Sequence, residues 1–125
     1  MKIGPQVYVR NSVEAAQNYC KAFGAEISFQ ITDTNGMYAH CELSVDDKLF
    51  LALSEAPQNC EQVTSCCWRT MAFNVYDLGT EEAVRNAFEI LAEGGTVIDP
   101  VGSCDWSKCC ANVIDKYGVF WWLAV

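Results

Sequence analysis

The sequence predicts an α+β fold in which one βαβββ module occurs twice within 125 residues. Three observations carry this reading. A strand-like run, Pro5 to Val9, leads into a helix-like run, Val13 to Phe23, which ends at Gly24 and gives way to more strand. After Cys67 the same order returns as Met71 to Val75, Glu81 to Glu93, Gly94-Gly95 and Thr96 to Ile98. Turn signals then divide the remainder of each half into strands.

The elements follow in order. Asn11 is expected to cap the first helix, with Glu14 reaching back as in a capping box. Val13, Ala16, Cys20 and Phe23 fall on one helical face, and Gly24 supplies the left-handed residue that stops it. Glu26 to Thr32 reads as a strand, Asn35-Gly36 as a hairpin turn, and Met37 to Val45 as its return. Asp46-Asp47 marks another turn before Leu49 to Leu53. Ala56 to Cys66, with Pro57, Gln58, Asn59 and Gln62, has linker character. The chain is therefore expected to be one domain built of module one (1–56), a linker at about 57–66, and module two (67–125). In the second helix Thr80 caps, Glu81 and Glu82 sit on the positive end of the dipole, Val84, Phe88 and Leu91 form the buried face, and Gly94 closes it. Thr96 to Val101, Cys109 to Ile114 and Val119 to Ala124 complete the module, Tyr117-Gly118 marking the last hairpin.

Composition narrows the function classes. A net charge of −8 with only eight Lys and Arg argues against nucleic acid, which needs a basic stripe. No apolar run approaches the roughly 18 residues of a membrane helix, and Met1 to Pro5 has no signal-peptide pattern. A soluble, cytoplasmic protein with no membrane partner is expected. The eight cysteines should then be reduced. No C-x-x-C occurs, and adjacent cysteines such as Cys66-Cys67 and Cys109-Cys110 point to opposite faces of a strand. A zinc cluster would have to combine Cys60, Cys66, Cys104 and Cys109; the alternative reading is small buried hydrophobes.

Three stretches carry a family resemblance. Tyr8-Val9-Arg10-Asn11, continuing through Ala15-Ala16, Tyr19 and Ala22-Phe23-Gly24-Ala25-Glu26, is the first. Met37-Tyr38-Ala39-His40-Cys41-Glu42-Leu43 is the second. Asp105-Trp106 followed by Val113-Ile114-Asp115-Lys116-Tyr117-Gly118-Val119-Phe120-Trp121, with its Asp-x-x-Gly-x-x-Trp spacing, is the third. In this order they resemble the PhnB-like branch of the vicinal oxygen chelate superfamily, which includes glyoxalase I, extradiol dioxygenases and bleomycin-resistance proteins. The resemblance implies paired sheets forming a cup-shaped half-barrel with helices outside, a homodimer, and in many members a divalent metal held by His or Glu. Carried over residue by residue, the ligand positions fall near Gly4 (beside Pro5 and Gln6), within Leu49 to Ser54, near Thr70, and on Trp122. None of these is a strong oxygen or nitrogen donor. The metal, and any other cofactor, is therefore expected to be absent.

Two functional readings follow. In the first, the protein binds a small cationic or aromatic molecule in an aromatic cup without transforming it. Trp68, Trp106, Phe120 and Trp122 line that cup, and His40 and Glu42 are its polar anchors. Strand alternation places Phe120 and Trp122 on one face and Trp121 on the other. In the second, the chain is a metal-dependent lyase, isomerase or dioxygenase acting on a small oxygenated metabolite. The sole histidine, His40, would serve as a general base beside Glu42, or simply pack and hydrogen-bond one partner. A Cys41–His40 dyad is disfavoured, because neighbouring strand residues face opposite ways.

Overall fold

Each half of the chain follows the order β–α–β–β–β. The computed structural model describes residues 1–58 and 71–125, and the chain divides into two units, Met1–Glu61 and Gln62–Val125. The first contains β1 (Gln6–Val9), α1 (Ser12–Phe23), β2 (Glu26–Thr32), β3 (Tyr38–Val45) and β4 (Lys48–Glu55). The second repeats it with β5 (Phe73–Val75), α2 (Glu81–Ala92), β6 (Thr96–Cys104), β7 (Ser107–Ile114) and β8 (Phe120–Ala124). Both sheets are open and four-stranded, ordered β1-β4-β3-β2 and β5-β8-β7-β6. In each, the first strand lies parallel to the last and the other neighbours are antiparallel. The α+β class and the doubled βαβββ order are thus as the sequence predicts. Trp68, Cys60, Cys66 and Thr70, with most of the expected linker, lie outside the described residues.

Alternation sets the faces. Val7, Val9, Cys41, Leu43, Leu51 and Leu53 are buried on the side of the first sheet that packs on α1. The helix meets them with Ser12, Ala15, Ala16, Tyr19 and Ala22. That stripe is rotated from the expected one: Ala16 is kept, but Val13, Cys20 and Phe23 are only half-buried. Small alanines let the helix approach closely while Tyr19 fills the deep position. Ser12 adds a polar tie, its Oγ accepting from Tyr38 N at 2.9 Å.

The start of α1 corrects the expected capping box. Asn11 adopts a left-handed φ of 58° and makes no side-chain cap bond. Parallel pairing of Val9 with Glu55 instead brings a β4 carboxylate to the helix. Glu55 accepts from Asn11 N at 3.1 Å and from Ser12 N at 2.7 Å, placing a full negative charge on the positive end of the dipole. At α2 the expected cap forms, Thr80 Oγ1 accepting from Ala83 N at 3.1 Å. Its buried residues are Val84, Ala87 and Leu91, with Phe88 at the margin.

Two features tie the second unit together. A Cβ on Gly95 would collide with the carbonyl oxygen of Ile114 and meet Asp115 Cα at 3.0 Å, so only glycine lets this link pass β7. Asp115, 4% exposed, organises the β7–β8 turn. Its Oδ1 accepts from Tyr117 N at 3.0 Å and Val119 N at 2.9 Å, and its Oδ2 from the Trp121 indole at 2.8 Å. Trp121 is buried and packs on Phe73 with ring centroids 5.4 Å apart. The Asp-x-x-Gly-x-x-Trp spacing therefore encodes a turn locked to a core tryptophan.

The β6–β7 hairpin is longer than expected. Cys104 pairs with Ser107, so Asp105-Trp106 forms a tight connection. Register shifts at Val97/Asp99, Asp99/Gly102 and Gly102/Cys104 break the alternation that would have revealed the strand, and Pro100 is tolerated because β6 is an edge. Among the described residues, no helix is long and apolar enough to cross a membrane.

Candidate functional site

On the sheet face turned away from its helix, each unit carries one register-matched row across all four strands. In the first unit it runs Gln6, Ala52, Glu42, Phe29. In the second it runs Asn74, Trp122, Asn112, Asp99. Both modules thus place a carboxamide on the first strand, and on the last strand Ala52 corresponds to Trp122.

In the first unit His40 and Glu42 are together, as two residues of one strand face must be. His40 Nε2 and Glu42 Oε1 are 3.2 Å apart, and both side chains are partly open to solvent. Phe29 flanks the imidazole at a ring distance of 6.2 Å, and Gln6 Nε2 donates to Ser54 Oγ at 3.1 Å. Cys41 faces the other way and is fully buried. Burial, followed by the nearby Cys20 and Glu42, pushes its thiol up to about 11. Such a thiol is no partner for His40.

The second unit holds the aromatic groups. Trp106 stacks on Trp122 with ring centroids 4.3 Å apart and an interplanar angle of 17°. Tyr76 closes on both, at 5.7 Å from Trp122 and 6.2 Å from Trp106. Asn74 Nδ2 donates to the Tyr76 hydroxyl at 3.0 Å, which orients that ring. Trp106 remains 63% exposed, although a tryptophan of this area ordinarily seeks burial. Phe120 is half-buried, two residues from Trp122 along β8, and does not line the cleft beneath the stack.

That cleft has a volume of about 400 Å³, with Trp106, Trp122, Asp99, Asn112, Cys104 and Cys110 among its walls. Its polar side is built by Asn112, whose Nδ2 donates to Asp99 Oδ2 at 2.6 Å. The bond leaves Asn112 Oδ1 buried with no hydrogen-bond partner. A buried carbonyl oxygen in that state is a ready acceptor for a ligand N–H or O–H. Sequence reasoning found the tryptophans but missed Asp99, Asn112 and Tyr76. Only the hidden strand register places them beside Trp122.

Among the described residues, the expected metal-ligand positions do not fit a divalent ion; the position near Thr70 lies outside them. Trp122 offers an N–H donor and no lone pair, and its ring is engaged by Trp106. β4 contributes Leu51, Ala52, Leu53 and Ser54, and the carboxylate that follows, Glu55, is held by two backbone N–H groups at the start of α1. Among the described residues, no group of three or more His, Cys, Asp or Glu is placed to hold a metal. Cys109 is buried, whereas Cys104 opens into the cleft, so the two do not share a site.

No protein-family model and no curated protein matches the chain. Solved structures do. A PhnB protein from Bacillus cereus matches with a TM-score of 0.78 at 25% identity, covering 99% of this chain and 98% of its own. A glyoxalase-related enzyme from Fulvimarina pelagi matches at 0.68 and 18% identity, covering 99% and 87%. The fosfomycin resistance protein FosX of Listeria monocytogenes, solved with Mn(II), matches at 0.64 and 13%, covering 99% and 90%. Together with the doubled βαβββ topology, these likenesses give the chain the fold of the vicinal oxygen chelate proteins. The likeness to the PhnB protein runs over nearly the full length of both chains.

Proposed function

We propose that the protein binds a small planar molecule bearing a cationic or hydrogen-bond-donating group, and does so without the superfamily metal. One observation carries this reading. The cleft of about 400 Å³ joins a tryptophan stack to an acidic side chain and an unpartnered buried acceptor. That volume lies within the range of small-molecule pockets, which pair apolar walls with a few placed polar groups. The rings offer a π face to a cation, Asp99 offers charge, and Asn112 Oδ1 offers an acceptor. The net charge of −8 adds a long-range attraction for cations. On the first unit, His40 and Glu42 form a candidate polar pair of their own.

We also propose a homodimer. Edge strand β2 exposes Ile27, Phe29 and Ile31, an apolar edge that soluble proteins ordinarily cover.

The test uses N-methylquinolinium, with neutral quinoline for comparison, titrated against tryptophan fluorescence. A saturating change with the cation, recovered chemically intact, supports the reading. Trp122→Ala should weaken binding by about 5- to 30-fold, the worth of a desolvated cation–π contact, and Asp99→Asn should erase the preference for the cation. Equal affinity for both probes in the parent and in Asp99→Asn would remove Asp99 from the site.

A further inference from the structure

The cleft wall holds a second chemistry that ligand binding does not use. Cys104 ends β6 and Cys110 lies on the facing strand β7, and both thiols line the same cleft. Gly102 is the β6 residue opposite Cys110, so Cys104, two residues further along β6, is its diagonal neighbour across the hairpin. The tight Asp105-Trp106 connection follows directly after Cys104. The two sulfurs are inequivalent: the neighbouring Cys110 thiol chiefly holds Cys104 below the ordinary cysteine range, while burial raises Cys110 to about 11. Asp105 opposes the effect on Cys104 but is the smallest contribution.

We propose that Cys104 and Cys110 form a reactive dithiol, a modification site at which hydroperoxides are reduced and an intramolecular disulfide is made. The Cys104 thiolate attacks the O–O bond of the peroxide. Its sulfur becomes a sulfenic acid, and hydroxide (or alkoxide) leaves and takes up a proton. The Cys110 sulfur then attacks that sulfenic sulfur, the S–O bond breaks, and water departs with the Cys110 proton. Two thiols are oxidised to one disulfide and hydrogen peroxide is reduced to two molecules of water. A dithiol reductant reverses the step by exchange.

The roles follow from place. Cys104 is the attacking sulfur because it ends β6 beside the exposed Asp105-Trp106 turn, and Cys110 is the resolving one because it lies within β7 on the wall of the same cleft. Cys20 and Cys41 lack this arrangement: burial raises both thiols. The disulfide would staple the end of the β6–β7 hairpin next to Trp106, so its formation is reported by the tryptophan stack whether or not any ligand binds.

The experiment treats the full chain with one equivalent of hydrogen peroxide at neutral pH, blocks remaining thiols with iodoacetamide, and maps non-reduced peptides. The expected result is a Cys104–Cys110 link, formed at least about tenfold faster than any change at Cys20 or Cys41. A tryptophan fluorescence change should accompany it and be reversed by dithiothreitol. Cys110→Ser removes the resolving sulfur at nearly the same size, so dimedone should trap a sulfenic acid at Cys104 and the reversible fluorescence change should vanish. Cys104 remaining reduced while other cysteines oxidise would overturn the proposal. So would Cys104 linked mainly to a different cysteine, or Cys110→Ser giving no dimedone adduct.

Discussion

Replacing Asp115 by asparagine is a near-isosteric change with a large expected cost. The carboxylate is 4% exposed and accepts from two backbone N–H groups through Oδ1 and from the Trp121 indole through Oδ2. An amide keeps one oxygen. With that oxygen on the backbone pair, its NH2 faces the indole N–H, donor against donor. One charge-assisted bond is lost, worth about 1.5–3 kcal/mol, and the two that remain drop to neutral strength at about 1 kcal/mol each. Relief from burying a charge offsets part of this, leaving roughly 2–4 kcal/mol. Against a total stability of about 5–15 kcal/mol that is a major fraction. Urea denaturation of Asp115→Asn, followed by circular dichroism, should show a lower midpoint with an unchanged m-value. Trp121→Phe removes the opposing indole. In a double-mutant cycle with Asp115→Asn, the two losses should therefore sum to about 1–2 kcal/mol more than the double mutant shows. A single-mutant loss below about 0.5 kcal/mol would refute the assignment of Asp115 as the lock of this turn.

Three further outcomes are expected. Glu55→Ala removes the carboxylate that caps α1 from β4 and should cost about 1–3 kcal/mol in urea denaturation, since two backbone N–H groups lose a charged acceptor. Gly95→Ala should destabilise more than any helix-propensity effect of about 1 kcal/mol, because its Cβ meets backbone of Ile114 and Asp115 that cannot step aside. This is read as a lowered thermal midpoint. Cys104 alkylation by iodoacetamide should stay fast at pH values below the usual cysteine pKa of about 8.5. A depressed pKa keeps the nucleophilic thiolate populated to lower pH, whereas Cys110, raised to about 11, should react only at higher pH; rates across pH for each cysteine peptide check both.

The parts of this fold legible in the sequence are those set by neighbours along the chain. Thr80 caps α2 within one turn, and Asp46 and Asp47 both take the left-handed conformation of a tight hairpin. The alternation of Trp121 into the core and Trp122 out of it follows from a short, regular strand. What the sequence hid depends on distant pairing. Glu55 reaches the start of α1 from 44 residues away, so Asn11 looked like the cap. The Asp115–Gly118–Trp121 spacing was visible, but its physical role required the buried carboxylate to be seen. Asp99 and Asn112 escaped notice because three register shifts in β6 erase the period-two pattern that would have aligned them with Trp122.

The central claim is a small-molecule site that works without the superfamily metal. Native mass spectrometry of the full chain, purified without chelator or an affinity metal column, tests it most directly. The expected species is a metal-free dimer that retains a small organic mass or takes up N-methylquinolinium at one per subunit, and loses it in Trp122→Ala. A species carrying stoichiometric divalent metal would contradict the account.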